Sequence, residues 1–287
     1  MNILVTGAKG LLGNEIRDVS VKSRNKYFFT GIEELDITKK KQVEDFVKTN
    51  GIEVVINCAA FVNADKAEEE KDTTTLLNET AVRDLAELCS EVNATLVHIS
   101  SDYVFRGDKS TPRCEDDLTD PCCFYGKTKV KGELSILNSG CQYLIFRTSW
   151  LYSKYGNSFV KTIFKLTEDR SDIKVVFDQV GTPTYAKDLA GLICKIIEEG
   201  LYKNNSGIYH FSNEGVCSWY DFAKEINLLA GHKCDIIPCD SSEYLTRAKR
   251  PHYSVLDKRK VKTVFGVSIP YWRESLIQCL KELDYIK

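Results

Sequence analysis

Three features of this 287-residue sequence predict an α/β fold, a doubly wound parallel sheet of Rossmann type with a smaller α/β substrate-binding lobe. Short, continuously apolar runs alternate with stretches whose apolar residues recur at helical spacing. The first such run leads directly into a glycine-rich turn at the head of a helix. Beyond Trp150 the alternation loosens, as it does where a chain leaves its main sheet. Strands buried on both faces read as unbroken apolar runs, and a strand–helix–strand rhythm implies parallel pairing.

Asn2–Thr6 is the first strand, followed at once by Gly7-Ala8-Lys9-Gly10-Leu11-Leu12-Gly13. At this spacing one glycine makes the turn, one lets a pyrophosphate approach bare backbone, and one lets the helix pack closely on the sheet. The free N–H groups of the helix then face the phosphates. Read without its context, the same loop serves equally as a plain strand-to-helix turn. A second strand, Lys26–Thr30, precedes Glu33, Glu34 and Asp36, near the offset where a ribose-binding carboxylate is expected. Glu33 and Glu34 suit a free ribose 2′-hydroxyl and Lys9 suits a 2′-phosphate, so NADH and NADPH both remain open.

Further strands are expected over 52–58, 95–100 and 143–148, with helices over Lys40–Thr49, 74–92 and 125–137 between them. The charged stretch 66–72 reads as a solvated face. Past Trp150 the pattern gives a helix over 158–166, a strand over 173–177, a helix over 185–199, a strand over 207–211, and further segments over 219–229 and 271–282. The dinucleotide-binding domain is therefore expected over 1–149 plus about 185–212, and the second lobe over about 150–184 and 213–287. A cleft between them, at the carboxyl ends of the strands, is where a second ligand belongs.

Lys and Arg number 39 against 41 Asp and Glu, a net charge of −2 with no basic stripe, which argues against nucleic acid or an anionic membrane as partner. No apolar run reaches the ~18 residues of a membrane span, and no signal peptide is evident, so a cytoplasmic protein is expected. The 11 cysteines include no C-x-x-C pair and the four histidines are scattered. They read as reduced core residues, and no metal site is expected from them.

Tyr125 and Lys129 stand four apart, one helical turn from each other. A cation held there stabilises phenolate and lets the tyrosine pass a proton near neutral pH. The strand over 95–100 ends in Ser100-Ser101-Asp102-Tyr103, on the same rim of a parallel sheet as the glycine loop. There Ser101 can hydrogen-bond a substrate oxygen, or simply cap a turn. Glycine loop, strand-end serine and Tyr/Lys helix, in that order, form the specific signal.

On these residues the chain resembles the extended short-chain dehydrogenase/reductases and, within them, the dTDP-4-dehydrorhamnose reductase family. The likeness runs through Val5–Gly13, Asn57–Ala60, Asp65–Glu68, Ser100–Phe105, Tyr125–Lys129, Arg147–Tyr152, Asp178–Thr184, Ser218–Tyr220 and Arg250–Ser254. It implies reduction of the C4 carbonyl of dTDP-4-dehydro-6-deoxy-L-mannose to dTDP-L-rhamnose with NADPH or NADH. Ser101, Tyr125 and Lys129 would be catalytic, with Asn78 supporting the proton relay. Gly7, Gly10, Leu11, Leu12 and Gly13 would hold the pyrophosphate, Asp36 and Ile37 would border the adenine, and Cys58, Ala59 and Ala60 would line the nicotinamide side. Asn63, Ser101, Asp102, Tyr103 and Trp150 would touch the sugar, and Arg250 the diphosphate.

The chain departs from the family where Ser101 replaces the usual Thr, Thr128 the usual Ser, and Cys123 a frequent Asn. Some relatives hold magnesium at a dimer interface through glutamates, one matching Glu15, so a magnesium ion and a homodimer stay open. Two other readings share the fold. A sugar-nucleotide dehydratase or epimerase is disfavoured because a dehydratase carries Asp-Glu where this chain has Asp102-Tyr103. A regulatory subunit like that of methionine adenosyltransferase would bind a partner and turn nothing over.

Overall fold

The computed structural model describes residues 1–287. In chain order its first half runs β1 (Asn2–Thr6), α1 (Leu11–Val19), β2 (Lys26–Thr30), α2 (Lys40–Thr49), β3 (Val54–Asn57), α3 (Ala64–Ala67), α4 (Lys71–Thr75), a π-helical turn (Leu76–Thr80), α5 (Ala81–Glu91), β4 (Thr95–Ser101), α6 (Phe124–Asn138) and β5 (Gln142–Thr148). The second half adds β6 (Leu151–Tyr152), α7 (Phe159–Asp169), β7 (Asp172–Val176), β8 (Val180–Gly181), β9 (Thr184–Tyr185), α8 (Ala186–Glu198), β10 (Gly207–His210), β11 (Cys217–Ser218), α9 (Trp219–Ala230), β12 (Asp235–Cys239), α10 (Arg259–Phe265) and α11 (Trp272–Glu282).

Six strands form one parallel sheet in the order β10-β5-β4-β3-β1-β2, as the alternation predicts. Its side chains alternate between two cores. Ile3, Val5, Val54, Ile56, Val97, Leu144 and Phe146 pack with α1 and α8, while Leu4, Val55, Leu96 and Ile145 pack with α2, α5 and α6. Ile3, Leu4 and Val5 are fully buried, and each such burial stabilises by roughly 1.5–3 kcal/mol. The strand that carries the glycine loop is thereby clamped on both faces. Strand order reverses between β1 and β3, the switch point at which open α/β sheets bind ligands.

The second lobe has its own core, built from Tyr152, Val160, Ile173, Tyr185, Phe222, Trp272 and Leu276. Here β7 pairs with β12, β8 with β11 and β6 with β9. The sequence reading gave neither β12 nor α10. Although α10 falls in the range expected for the lobe, its Val261 and Phe265 join the sheet core beside Ile196, Ile197 and Tyr209. The expected helix over 74–92 is present as α4, the π-helical turn and α5. No helix is long and apolar enough to cross a membrane. All 11 cysteines are free thiols, eight of them buried.

Candidate active site

A cavity of about 790 Å³ opens at the switch point, between the carboxyl ends of β1, β3 and β4 and the second lobe. Gly7, Gly10, Leu11, Leu12 and Gly13 form one wall. Gly7 has φ +62°, and a Cβ there would lie 2.6 Å from the Ala59 nitrogen, so the turn requires glycine. A Cβ on Gly13 would lie 2.6 Å from Ala8 Cα and 2.7 Å from the Gly7 oxygen, which fixes how tightly α1 sits on its own loop. Gly10 differs from both. A Cβ there would meet only the Gly7 oxygen, at 3.2 Å, and no side chain caps the first turn of α1. The fit to a dinucleotide is therefore physical: bare backbone faces the cavity at Gly10, with unmet N–H groups behind it.

Cys58 and Ala60 line the cavity after β3, whereas Ala59 lies under the loop against Gly7. Burial pushes the Cys58 thiol up to about 12, so it presents neutral sulfur. Asp36 and Ile37 are not part of the lining. The Asp36 carboxylate accepts from the Thr38 nitrogen and hydroxyl, and Ile37 is buried in the α2/α5 core. At the end of β2, Lys9 is ion-paired with both Glu33 and Glu34, at 2.7 and 3.1 Å, so the cation and the carboxylates expected to choose between cofactors neutralise one another.

Ser101, Tyr125 and Lys129 converge in the same cavity. Ser101 caps the 3₁₀ turn Asp102–Val104 by accepting from the Tyr103 nitrogen, and its hydroxyl donates to Asp102 at 3.0 Å. Burial raises the Tyr125 phenol above its ordinary value, opposed by a hydrogen bond with Ser101. Burial also pulls the Lys129 amine down to about 8. Its Nζ donates to the Ile99 carbonyl at 2.7 Å and meets His98 Nε2 at 3.3 Å, facing strand β4. The lowering of the phenol by its cationic neighbour, expected from the four-residue spacing, is thus not expressed in this arrangement. Asn78 lies in the π-helical turn, accepts from the Phe61 nitrogen, and donates to the Phe61 carbonyl and to Thr128 Oγ1. It ties the loop after β3 to α6. A Cβ on Gly132 would sit 2.3 Å from the Asn78 carbonyl, so α6 docks on that turn at backbone distance.

The helix α6 is also capped from a distance. Cys123 is its N-cap, with a long 3.5 Å contact from the Gly126 nitrogen to sulfur, and Glu68 accepts from the Phe124 nitrogen at 2.8 Å. The stretch 66–72 is therefore more than a solvated face. Further along α6, Glu133 forms a buried ion pair with Arg147 of β5 at 2.7 Å and accepts from Ser100.

On the lobe side, Trp150 has φ +47°, a strained backbone for a non-glycine residue, and stacks on Trp219 with ring centroids 3.6 Å apart. Both rings line the cavity, as do Asn63, Asp102 and Tyr103. Tyr103 packs edge-on to Tyr125. Arg250 also lines it, held by Asp65 at 2.6 Å. Asp65 and Trp219 lie in stretches that carry the family resemblance, but their parts as supports of Arg250 and Trp150 are not legible along the chain, because each partner is remote in sequence.

The sequence model of one protein family, described as the RmlD substrate binding domain, matches residues 1–285. The dTDP-4-dehydrorhamnose reductase of Aggregatibacter actinomycetemcomitans is 38% identical over 283 residues, covering 96% of each chain. The chain belongs to the dTDP-4-dehydrorhamnose reductase family. Among solved structures, the family member from Clostridium acetobutylicum superposes with a TM-score of 0.95 at 41% identity, covering 99% of this chain and 100% of its own. The Bacillus anthracis reductase in complex with NADP gives 0.94 at 37% identity, with 98% and 99% covered.

Where the family usually has threonine, Ser101 keeps a hydroxyl. Glu15, the position matched to a magnesium ligand, is buried and accepts from Ser153 at 2.6 Å. Nearby Asp18 and Glu282 are already paired, Asp18 with Lys154 and Glu282 with Lys154 and Lys187. Within the chain no three His, Cys, Asp or Glu side chains converge to hold an ion, and Glu15 Oε2 is buried without a hydrogen-bond partner.

Proposed function

We propose that this chain reduces the C4 carbonyl of dTDP-4-dehydro-6-deoxy-L-mannose to give dTDP-L-rhamnose, with NADPH or NADH as cofactor and Tyr125 as proton donor. The observation that carries the reading is one cavity holding a bare-backbone phosphate cradle, a Ser101/Tyr125/Lys129 cluster and an aromatic wall. The nicotinamide supplies the hydride when bound. Tyr125 holds the proton destined for the carbonyl oxygen, and Ser101 fixes that oxygen beside it. Trp150 and Trp219 present a flat apolar face suited to a sugar ring and the C6 methyl group. Arg250, oriented by Asp65, offers a fixed guanidinium to the sugar nucleotide's diphosphate. No second carboxylate follows Asp102, which supports reduction over dehydration.

The test is to generate the keto sugar in situ, follow loss of nicotinamide absorbance, and identify the product by NMR. Cofactor oxidation with a rhamnose product is expected. A product epimeric at C4 would overturn the substrate assignment, and absence of turnover across a panel of 4-keto sugar nucleotides would favour a binding subunit.

A further inference from the structure

Three central strands place polar side chains in one register row: Thr6 of β1 opposite Asn57 of β3, and Asn57 opposite His98 of β4. All three are essentially buried, and the row ends on Lys129, equally buried. Hydrogen-bond capacity fixes the direction of the row. Asn57 Oδ1 accepts from the Thr6 hydroxyl at 2.7 Å and from the Ala59 nitrogen at 3.3 Å, so its amide nitrogen must face His98. That nitrogen lies 3.2 Å from His98 Nδ1. Nδ1 is then the acceptor, and a neutral imidazole carries its single proton on Nε2. The imidazole is neutral because burial holds its pKa well below the ordinary value. Nε2–H points at Lys129 Nζ, 3.3 Å away. An ammonium has three donors and no acceptor, whereas a neutral amine has a lone pair to receive this N–H while still donating to Ile99.

We propose that the amine form of Lys129, populated in the cofactor-free cavity at alkaline pH, accepts from His98, and that dinucleotide binding there is coupled to uptake of one proton at Lys129. The proton comes from the buffer and forms an N–H bond at Nζ, with no redox change. The groups around Lys129 agree with this. Glu133, the one carboxylate that favours its charged form, is already spent on Arg147 and Ser100. Asp102 is tied to Ser101, and Tyr125 on the same helix is neutral. Burial holds the amine near 8, so the uptake belongs to pH above that value. An anionic dinucleotide entering the cavity favours the ammonium, which then lowers the Tyr125 phenol. Above that pH the charge reaches the acid only when the cofactor is in place, and affinity falls toward tenfold per pH unit well above pH 8.

The inference rests on reading this cavity as the dinucleotide site. NADPH binding is measured by calorimetry in two buffers of widely different ionisation enthalpy, at about pH 7 and about pH 9, where the 2′-phosphate no longer titrates. Heats should coincide at the lower pH and diverge at the higher by close to one proton per site. Lys129→Met should abolish the divergence, and His98→Phe, which deletes the opposing N–H, should move its midpoint up by about one pH unit. Equal heats at pH 9, a divergence surviving Lys129→Met, or an unmoved midpoint in His98→Phe would each overturn the proposal. Should His98→Phe not fold, ¹⁵N shifts of labelled histidine in the wild-type protein decide the tautomer, and a protonated Nδ1 overturns the proposal. Absence of any binding heat would instead remove the cofactor reading, and this inference with it.

Discussion

Replacing Gly10 and Gly13 in turn by alanine should separate binding from stability within one loop. At Gly13 the added methyl would lie 2.6 Å from Ala8 Cα and 2.7 Å from the Gly7 oxygen, both backbone atoms that cannot rotate away. Overpacking of this kind costs about 1–3 kcal/mol, and 2 kcal/mol corresponds to a fall of about 4–8 °C in Tm for a domain near this size. At Gly10 the backbone, with φ −78° and ψ 179°, suits any residue, and the single close atom stands at 3.2 Å. Thermal stability of Gly10→Ala should therefore stay within about 1 kcal/mol of wild type. Its methyl occupies the space a pyrophosphate must enter, so affinity for NADPH should drop at least about tenfold, or about 1.4 kcal/mol. Melting without cofactor and calorimetry with NADPH give the two readouts. Gly10→Ala with undiminished affinity, or Gly13→Ala melting like wild type, would refute the division of labour drawn here.

Tyr125→Phe should lower turnover by about 10²–10⁴-fold while NADPH affinity stays within about twofold, because one hydroxyl is lost from an unchanged ring; calorimetry beside the oxidation assay checks this. Asp102, raised by burial to about 6 against an ordinary unfolded value near 3.9, keeps its proton in the folded state over a window where the unfolded chain has lost it. Stability therefore falls as pH rises from about 4 to about 6, by roughly 3 kcal/mol in all, and Asp102→Asn should flatten that part of the Tm-against-pH curve. Arg147→Leu strands Glu133 among buried neighbours and should destabilise by about 3–5 kcal/mol, read as a lower urea midpoint with an unchanged slope.

What was legible in the sequence is what local chemistry determines. Asn2–Thr6, Lys26–Thr30 and Lys40–Thr49 appear with the bounds read from periodicity, because each apolar face there meets a core directly. Gly7 and Gly13 have the close approaches their spacing implied. The two-residue strands β6, β8, β9 and β11 were invisible, since each exists only through its partner. The π-helical turn that presents Asn78 leaves no mark on apolar spacing. Glu68 on α6 and Asp65 on Arg250 join residues 56 and 185 positions apart, and nothing in either neighbourhood announces the other. Lys129 was found by its spacing from Tyr125, but its orientation toward His98 is a property of the sheet register and could not be read along the chain.

The contact between Gly132 and the Asn78 carbonyl makes α6 behave as a beam resting on a single narrow bearing. Gly132 lies seven residues beyond Tyr125 and three beyond Lys129, roughly 10 Å and 5 Å along the axis. Any side chain at 132 lifts the beam off its seat, and Tyr125 and Lys129 must travel with it because one rigid helix carries both. Their spacing to each other would survive such a shift, while their alignment with Ser101 and with the row ending at His98 would not. Damage at this glycine would therefore resemble loss of the Tyr125 hydroxyl, although no atom lining the cavity had been changed.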